Sequence, residues 1–328
     1  MTAASSRPTP PPAPAVPPAT QAGRQAALEA AYRHCAAIAA EHGKSYHLAT
    51  RLLTPDRRPA VHALYAAART ADDLVDVPGA DPAGDLAAWS RATLEELEAG
   101  WSADPVRLAL VDTVRRYDIP LEHLVDFLAA MTSDLEVTGY ADLDALDRYM
   151  WGSASVIGLQ VLPVLGTAPG VAREEAAPHA IALGEAFQLT NFLRDVGEDV
   201  DRGRVYLPED MMAAHGVTRE QLAAKRYDAG FRRLMREMVA VTRRRYDDAA
   251  PGTPLLAAES RDCVRAATDL YGGILTEIER ADYRVLDRRV RVPRPRRLAV
   301  FARRLTAAQL ARVRVTMAKP KSRSSTGA

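Results

Sequence analysis

From Ala26 to Ala281 the apolar residues recur at helical spacing, segment after segment, and nowhere show the sustained alternation of a half-buried strand. A chain patterned in this way is expected to fold from helices alone. Composition agrees: alanine, leucine and arginine are abundant while aromatics reach only 6%. These residues lose little side-chain freedom in a helix, whereas strands favour β-branched and aromatic side chains. With 328 residues, 48% of them apolar and 26% charged, the make-up is that of a soluble globular protein with material for one large helical core or two small ones.

The spacing predicts helices over Ala26 to His42, ended by Gly43, and over Ser45 to Leu53. Thr54-Pro55 reads as a restart, a hydroxyl able to cap followed by a proline at the first helical position, for a helix running to Val77. Further helices are expected over Leu86 to Glu98, Pro105 to Tyr117, Leu121 to Val137, and Leu143 to Leu165 with a break near Gly158 or Pro163. A long helix should span Arg173 to Val200, and another should begin at Thr218, which forms a capping-box pattern with Gln221. Helical segments continue through Tyr246 and from Leu255 to Ala281. Residues 1–23 read as an unstructured Pro-rich leader without the pattern of a secretion signal, 24–310 as the helical domain, and 311–328 as an unstructured tail, most plainly from Lys319.

Lys and Arg number 43 against 42 Asp and Glu, a formal charge of +1 that gives no general reason to expect a nucleic-acid partner. Cys35 and Cys263 are far apart and neither belongs to a zinc-spaced pair, so disulfides and zinc are not expected to hold the fold. The most apolar stretch, Val156 to Leu165, is too short to span a bilayer. A cytosolic protein is expected, with peripheral membrane contact as an option. The basic stretch from Arg288 to Arg304, with Val290, Val292, Leu298, Val300 and Phe301, reads either as a solvated end or as a surface for anionic lipid.

Two segments carry chemistry. In LYAAARTADDLVD the helical advance of about 100° per residue puts Tyr65, Arg69, Asp72 and Asp76 within an arc of roughly 60°. In FQLTNFLRDVGEDVDRGRVYLP, Gln188, Asn191, Asp195 and Asp199 fall within about 80°. Carboxylates four residues apart repel unless a cation lies between them, and hard oxygen ligands suit Mg²⁺ or Mn²⁺. Either face alone would equally serve as a solvated helix surface. Together they can hold cations, each bound by one or two carboxylates, water and phosphate oxygens, with Arg69, Arg194 and Arg204 as phosphate donors.

Across roughly Ala27 to Leu305 the chain resembles the squalene/phytoene synthase family, and its phytoene synthase branch most. The segments that carry the resemblance are SYHLATRLLTPDRRPAVHALYAAARTADDLVD, YMWGSASVIGLQVLPVLG, FQLTNFLRDVGEDVDRGRVYLP and LYGGILTEIERADYRVLDRRVRV. The resemblance implies an all-α, single-domain isoprenoid-synthase bundle with a central cavity. It implies Asp72 and Asp76 as the first metal motif, Asn191, Asp195 and Asp199 as the second, and Arg69, Gln188, Arg194 and Tyr206 as diphosphate holders. Ser45, Tyr149, Tyr271 and Arg289 match positions lining the family's site. Val77 departs from the family's usual acid, and Ala67 from a common aromatic.

The implied reaction condenses two geranylgeranyl diphosphates through prephytoene diphosphate to phytoene, with Mg²⁺ or Mn²⁺ and without NADPH. Tyrosine hydroxyls and the released diphosphate both stand as candidate final bases. Farnesyl diphosphate chemistry giving dehydrosqualene, presqualene or hydroxysqualene products would use the same motifs. A head-to-tail synthase would carry a second D-D-x-x-D, and a non-catalytic assembly protein need not keep the carboxylates. Tyr46 and Thr50 share a helix face beside Ser45, and the small Thr50, with Ala66 and Ala67, is expected to leave depth for a twenty-carbon tail. Oligomeric state is left open.

Overall fold

The computed structural model of the chain describes residues 18–76 and 81–318, and the side chains of all these except residues 307–318. Helix α1 (Gln21–His42) begins where the Thr20 hydroxyl accepts the Gly23 N–H at 3.1 Å. It therefore starts inside the segment expected to be leader, because the cap satisfies a first-turn donor. Helix α2 (Lys44–Thr50) ends three residues before Leu53, and α3 (Arg58–Asp76) starts three residues after Pro55. The N–H groups of Arg57 and Arg58 both return to the Thr54 carbonyl, at 3.2 and 3.1 Å, and make a turn instead. Pro59, not Pro55, takes the first-turn place where a missing N–H costs nothing. The expected end of α3 at Val77 lies outside the described residues.

Helices α4 (Pro82–Ala99) and α5 (Pro105–Tyr117) are capped by Asp81 and Asp104, each followed by proline. Helix α6 (Leu121–Ser133) stops short of Val137, giving way to turns in which Leu135 and Glu136 donate to Thr132 and Ser133 carbonyls. Between α7 (Leu143–Met150) and α8 (Val156–Leu165) the expected break falls earlier than Gly158 or Pro163, at a π turn over Trp151–Ser155. A π turn inserts a residue and so rotates the buried face of one helix relative to the next. Pro163 sits near the end of α8, where few backbone bonds follow.

Helix α9 (Arg173–Asp201) carries the second acidic face. After α10 (Glu209–Ala214), α11 (Arg219–Ala223) shows the expected capping box, with Thr218 and Gln221 bonding each other's backbone at 3.2 and 3.0 Å. Then come α12 (Ala229–Ala249), α13 (Ala258–Arg280) and α14 (Arg294–Ala318). Helix α13 begins three residues after Leu255 because a 3₁₀ turn containing Pro254 occupies Ala250–Leu255. Helix α14 runs through residues 311–318, which were expected to be unstructured tail. Among the described residues no strand forms, only an isolated bridge between Thr167 and Leu256.

One core gathers α1, α2, α3, α5, α8 and α13; a second gathers α7, α9, α12 and α13. The first half of α9 packs Ala176, Leu183 and Phe187 into the former, and the second half packs Leu189, Phe192, Leu193 and Val196 into the latter. Helix α9 comes into backbone contact with α8 at Gly158 and with the π turn at Gly184, each time because one partner lacks a side chain. A methyl on Gly158 would lie 2.2 Å from the Ala180 carbonyl oxygen, and one on Gly184 would lie 2.4 Å from that of Ala154. Both cysteines are buried and free. The apolar residues of the basic C-terminal stretch turn inward: Val292 is buried, and Val300, Phe301 and Leu305 pack on the first core. Arg303 and Arg304 pair with Asp269 and Arg296 with Glu277, while Leu298 stays exposed. No described helix is long and apolar enough to cross a membrane.

Candidate active site

On α3 the buried face is mostly alanine, Ala60, Ala63, Ala66, Ala67 and Ala71, which lets neighbouring helices approach while the polar face stays open. That open face carries Arg69, Asp72 and Asp76, as its spacing requires. Arg69 pairs with Asp72 at 3.3 Å and also with Asp73. Asp76 reaches across to residues following α9, accepting from Arg202 at 3.1 Å and from Arg204 at 2.7 Å. The two acidic faces therefore meet.

On α9, Gln188 and Asn191 are half-buried and lie two turns and one turn before Asp195. Asp195 is held by Arg194 and, through two bonds of 2.9 Å, by Arg289, which also reaches Glu198 at 3.1 Å. Arg289 arrives from the segment after α13. That segment crosses α9 at Gly197, where a methyl would lie 2.2 Å from the Leu286 carbonyl oxygen. Glycine at this point is what permits the crossing.

Burial first, then repulsion from Asp76 and Asp73, pushes the Asp72 carboxyl up to about 6 against the pull of Arg69 and Arg204. The Asp72 side chain keeps 45% of its surface open while protein crowds its other sides. Burial, then Asp195 and Asp76, pushes Asp199 up to about 7 against Arg202 and Arg204. Asp76 on α3 thus raises the cost of ionising Asp199 on α9 across the interface. Such repulsion is what a divalent cation relieves. Among the described residues no three His, Cys, Asp or Glu side chains converge on one point. The donor set fits cations that each take one or two carboxylates and complete their shell with water and diphosphate oxygens, which suits Mg²⁺.

Aromatic side chains wall the site on two sides. Tyr46 on α2 stacks on Tyr65 at 5.0 Å, and Tyr271 on α13 stacks on Phe187 at 4.5 Å. The hydroxyls of Tyr46 and Tyr65 both sense Tyr271, which in turn senses Arg194, Asp195 and Arg289. On the other side Phe192 stacks on Tyr206 at 4.0 Å, and Tyr149 and Tyr140 close the group at 5.1 to 6.4 Å. Phe192, Asp199, Arg204 and Tyr206 line a narrow crevice with Val196 and Leu207. Ser45 is half-buried on α2. Thr50 is 1% exposed, and its hydroxyl donates to the His47 carbonyl and pairs with His62 Nε2, both at 2.8 Å.

The sequence profile of squalene/phytoene synthases matches residues 39–296. The chain belongs to the squalene/phytoene synthase family. It is a prenyltransferase. Phytoene synthase 2, chloroplastic, of Solanum lycopersicum is 39% identical over 280 residues, 84% of this chain and 90% of that protein. Phytoene synthase 1, chloroplastic, of Arabidopsis thaliana is 38% identical over 283 residues, 85% of this chain and 67% of that protein. Among solved structures, a dehydrosqualene synthase in complex with ligand superposes with a TM-score of 0.79 at 26% identity, covering 86% of this chain and 98% of that one. The all-α isoprenoid-synthase fold expected from the resemblance is thereby established.

Sequence reasoning did not single out four residues near this synthase's acidic faces: Asp134, Tyr140, Glu198 and Arg202. Asp134 caps the end of α6, is 8% exposed, and accepts from the Tyr149 hydroxyl at 2.7 Å. Burial, with repulsion from Asp72 and Asp76, pushes its carboxyl up to about 6. No periodicity links Asp134 to the motifs; only tertiary packing does. Glu198 was visible in the second segment but lies about 20° outside its polar arc, and Arg202 lies just past the end of α9.

Proposed function

We propose that the chain joins two geranylgeranyl diphosphates head to head, through a cyclopropylcarbinyl diphosphate, to phytoene. The observation that carries this reading is the meeting of the two acidic faces, where Asp76 of α3 is held by Arg204 beyond α9 and shares its field with Asp199. Identity of 38–39% to phytoene synthases supports the product. Asp72, Asp76, Asn191, Asp195 and Asp199 would hold Mg²⁺ or Mn²⁺. When bound, the metal would draw charge from the diphosphate oxygens as the allylic C–O bond breaks.

The chain's own cations prepare the same event. Arg69, Arg194, Arg204 and Arg289 neutralise the motif carboxylates, and each can turn donors toward a diphosphate bound among them. Gln188 and Tyr206 border that position. Tyr46, Tyr65, Phe187 and Tyr271 exclude water and offer ring faces to the carbocations that follow ionisation. The last step loses a proton, so no hydride donor enters and NADPH is not required. Ser45, Thr50, Ala66 and Ala67 lie where α2 and α3 pack, and their small side chains favour a twenty-carbon tail. Their lipophilic substrate and product also favour contact with a membrane surface.

A farnesyl-using synthase is the second reading, favoured by the superposition on a dehydrosqualene synthase. Turnover of labelled geranylgeranyl diphosphate with Mg²⁺, followed by lipid extraction, separates the two. Phytoene is the expected product. Turnover of farnesyl diphosphate alone overturns the chain-length assignment.

A further inference from the structure

We propose that Asp134 is a positioning residue that acts through Tyr149: its carboxylate takes the phenol proton into a hydrogen bond, so that the Tyr149 oxygen presents lone pairs to the prenyl chains. What those chains are rests on the synthase reading; the pair itself does not.

Asp134 is 8% exposed, and its carboxylate is asymmetrically used. Oδ2 accepts from the Tyr149 hydroxyl at 2.7 Å, whereas Oδ1 is buried with no hydrogen-bond partner among the described residues. Asp72 and Asp76 repel it, and Arg204 attracts it. An amide or a backbone carbonyl would hold a purely structural tyrosine without the desolvation and repulsion that a carboxylate meets here. The charge gives something those groups lack. A phenol that donates to a carboxylate forms a stronger bond than to a neutral acceptor, and its oxygen becomes more electron-rich in consequence.

Tyr149 is also fixed in place. Its ring packs against Tyr140 at 5.1 Å, Tyr206 at 5.9 Å and Phe192 at 6.4 Å. Phe192 lies one turn before Asp195 on α9, and Tyr206 follows Arg204 by two residues, so this box of rings adjoins the groups that hold diphosphate. The π turn starts at Trp151, two residues past Tyr149, so the ring stands where α7 changes its buried face. An oriented, electron-rich oxygen beside the site stabilises positive charge developing on a bound prenyl chain.

The test is a double-mutant cycle on the full chain with Mg²⁺: wild type, Asp134→Asn, Tyr149→Phe and the double variant. It is run on whichever of geranylgeranyl and farnesyl diphosphate the wild type consumes, so failure of the chain-length reading leaves it intact. Asp134→Asn is expected to lower kcat by about 10–100-fold, the loss of a charge-assisted hydrogen bond, with KM nearly unchanged. The double variant should be no slower than Tyr149→Phe within about twofold, as for residues that act as one unit. Multiplicative losses, a kcat for Asp134→Asn near wild type, or a change confined to KM would each overturn the proposal. Should the amide variant not fold by circular dichroism, Asp134→Ala replaces it in the same cycle with the same outcomes.

Discussion

Filling the wall at Thr50 is the sharpest test of chain length, and the structure changes how that test must be built. Thr50→Phe adds volume between α2 and α3, and overpacking typically costs about 1–3 kcal/mol. The same change removes the hydroxyl that pairs with His62 Nε2 and the His47 carbonyl. Leaving a buried group unpaired costs about another 1–3 kcal/mol. Together the losses approach about 2–6 kcal/mol, against a total stability of about 5–15 kcal/mol for a typical domain. Thr50→Val supplies the control, since it keeps the shape, loses the hydroxyl and adds no bulk. Its midpoint should fall by several degrees, at about 2–4 °C per kcal/mol for a large domain. Competition of geranylgeranyl against farnesyl diphosphate then reads the volume effect alone. Thr50→Phe is expected to lose twenty-carbon turnover while keeping or gaining fifteen-carbon turnover, with Thr50→Val unchanged in ratio. Equal ratios in all three folded proteins would remove Thr50 from the length-setting wall.

Asp72→Asn and Asp195→Asn should each abolish most turnover, since an amide keeps shape but not charge; near-normal rates in either would remove its metal role. In the metal-free protein Asp72→Asn should melt no lower than wild type, because it relieves the burial and repulsion that raise that carboxyl. Activity should require Mg²⁺ or Mn²⁺ and be indifferent to NADPH, and a reduced product such as squalene on adding NADPH would contradict the proposed proton loss. Asp199, Asp72 and Asp134 have folded pKa values of about 7, 6 and 6, above the ordinary carboxylate value of about 4. The folded chain therefore binds protons that the unfolded chain has released, and this contribution to stability is lost as pH rises through those values. Without metal the midpoint should rise from pH 8 to pH 6, while calorimetric Mg²⁺ affinity falls; the reverse pair of trends would refute it. Gly197→Ala places a methyl against the Leu286 carbonyl, so it should shift the segment bearing Arg289 and raise KM more than it lowers the midpoint.

Helical spacing determined the class of fold, and the i,i+4 rows of acids determined that two helix faces would be polar, because both are properties of a single helix axis. The squalene/phytoene synthase resemblance lay equally in local motifs. Helix ends were read correctly at the Thr218 capping box and at Gly43, and misread where the Thr20 and Asp81 caps add a first turn and where a turn outside the helix decided, as at Thr54 and Leu255. The π turn at Trp151–Ser155 has no local signature, since it depends on α6 packing against Gly152. What only the tertiary structure decided is which charges meet. Asp76 with Arg204, Asp195 with Arg289, and Asp134 with Tyr149 are separated by 128, 94 and 15 residues. Periodicity orients a side chain about its own helix but carries nothing about the neighbouring helix it will face. That choice was made by close approaches at Gly158, Gly184 and Gly197, where the absence of a side chain lets one backbone rest on another.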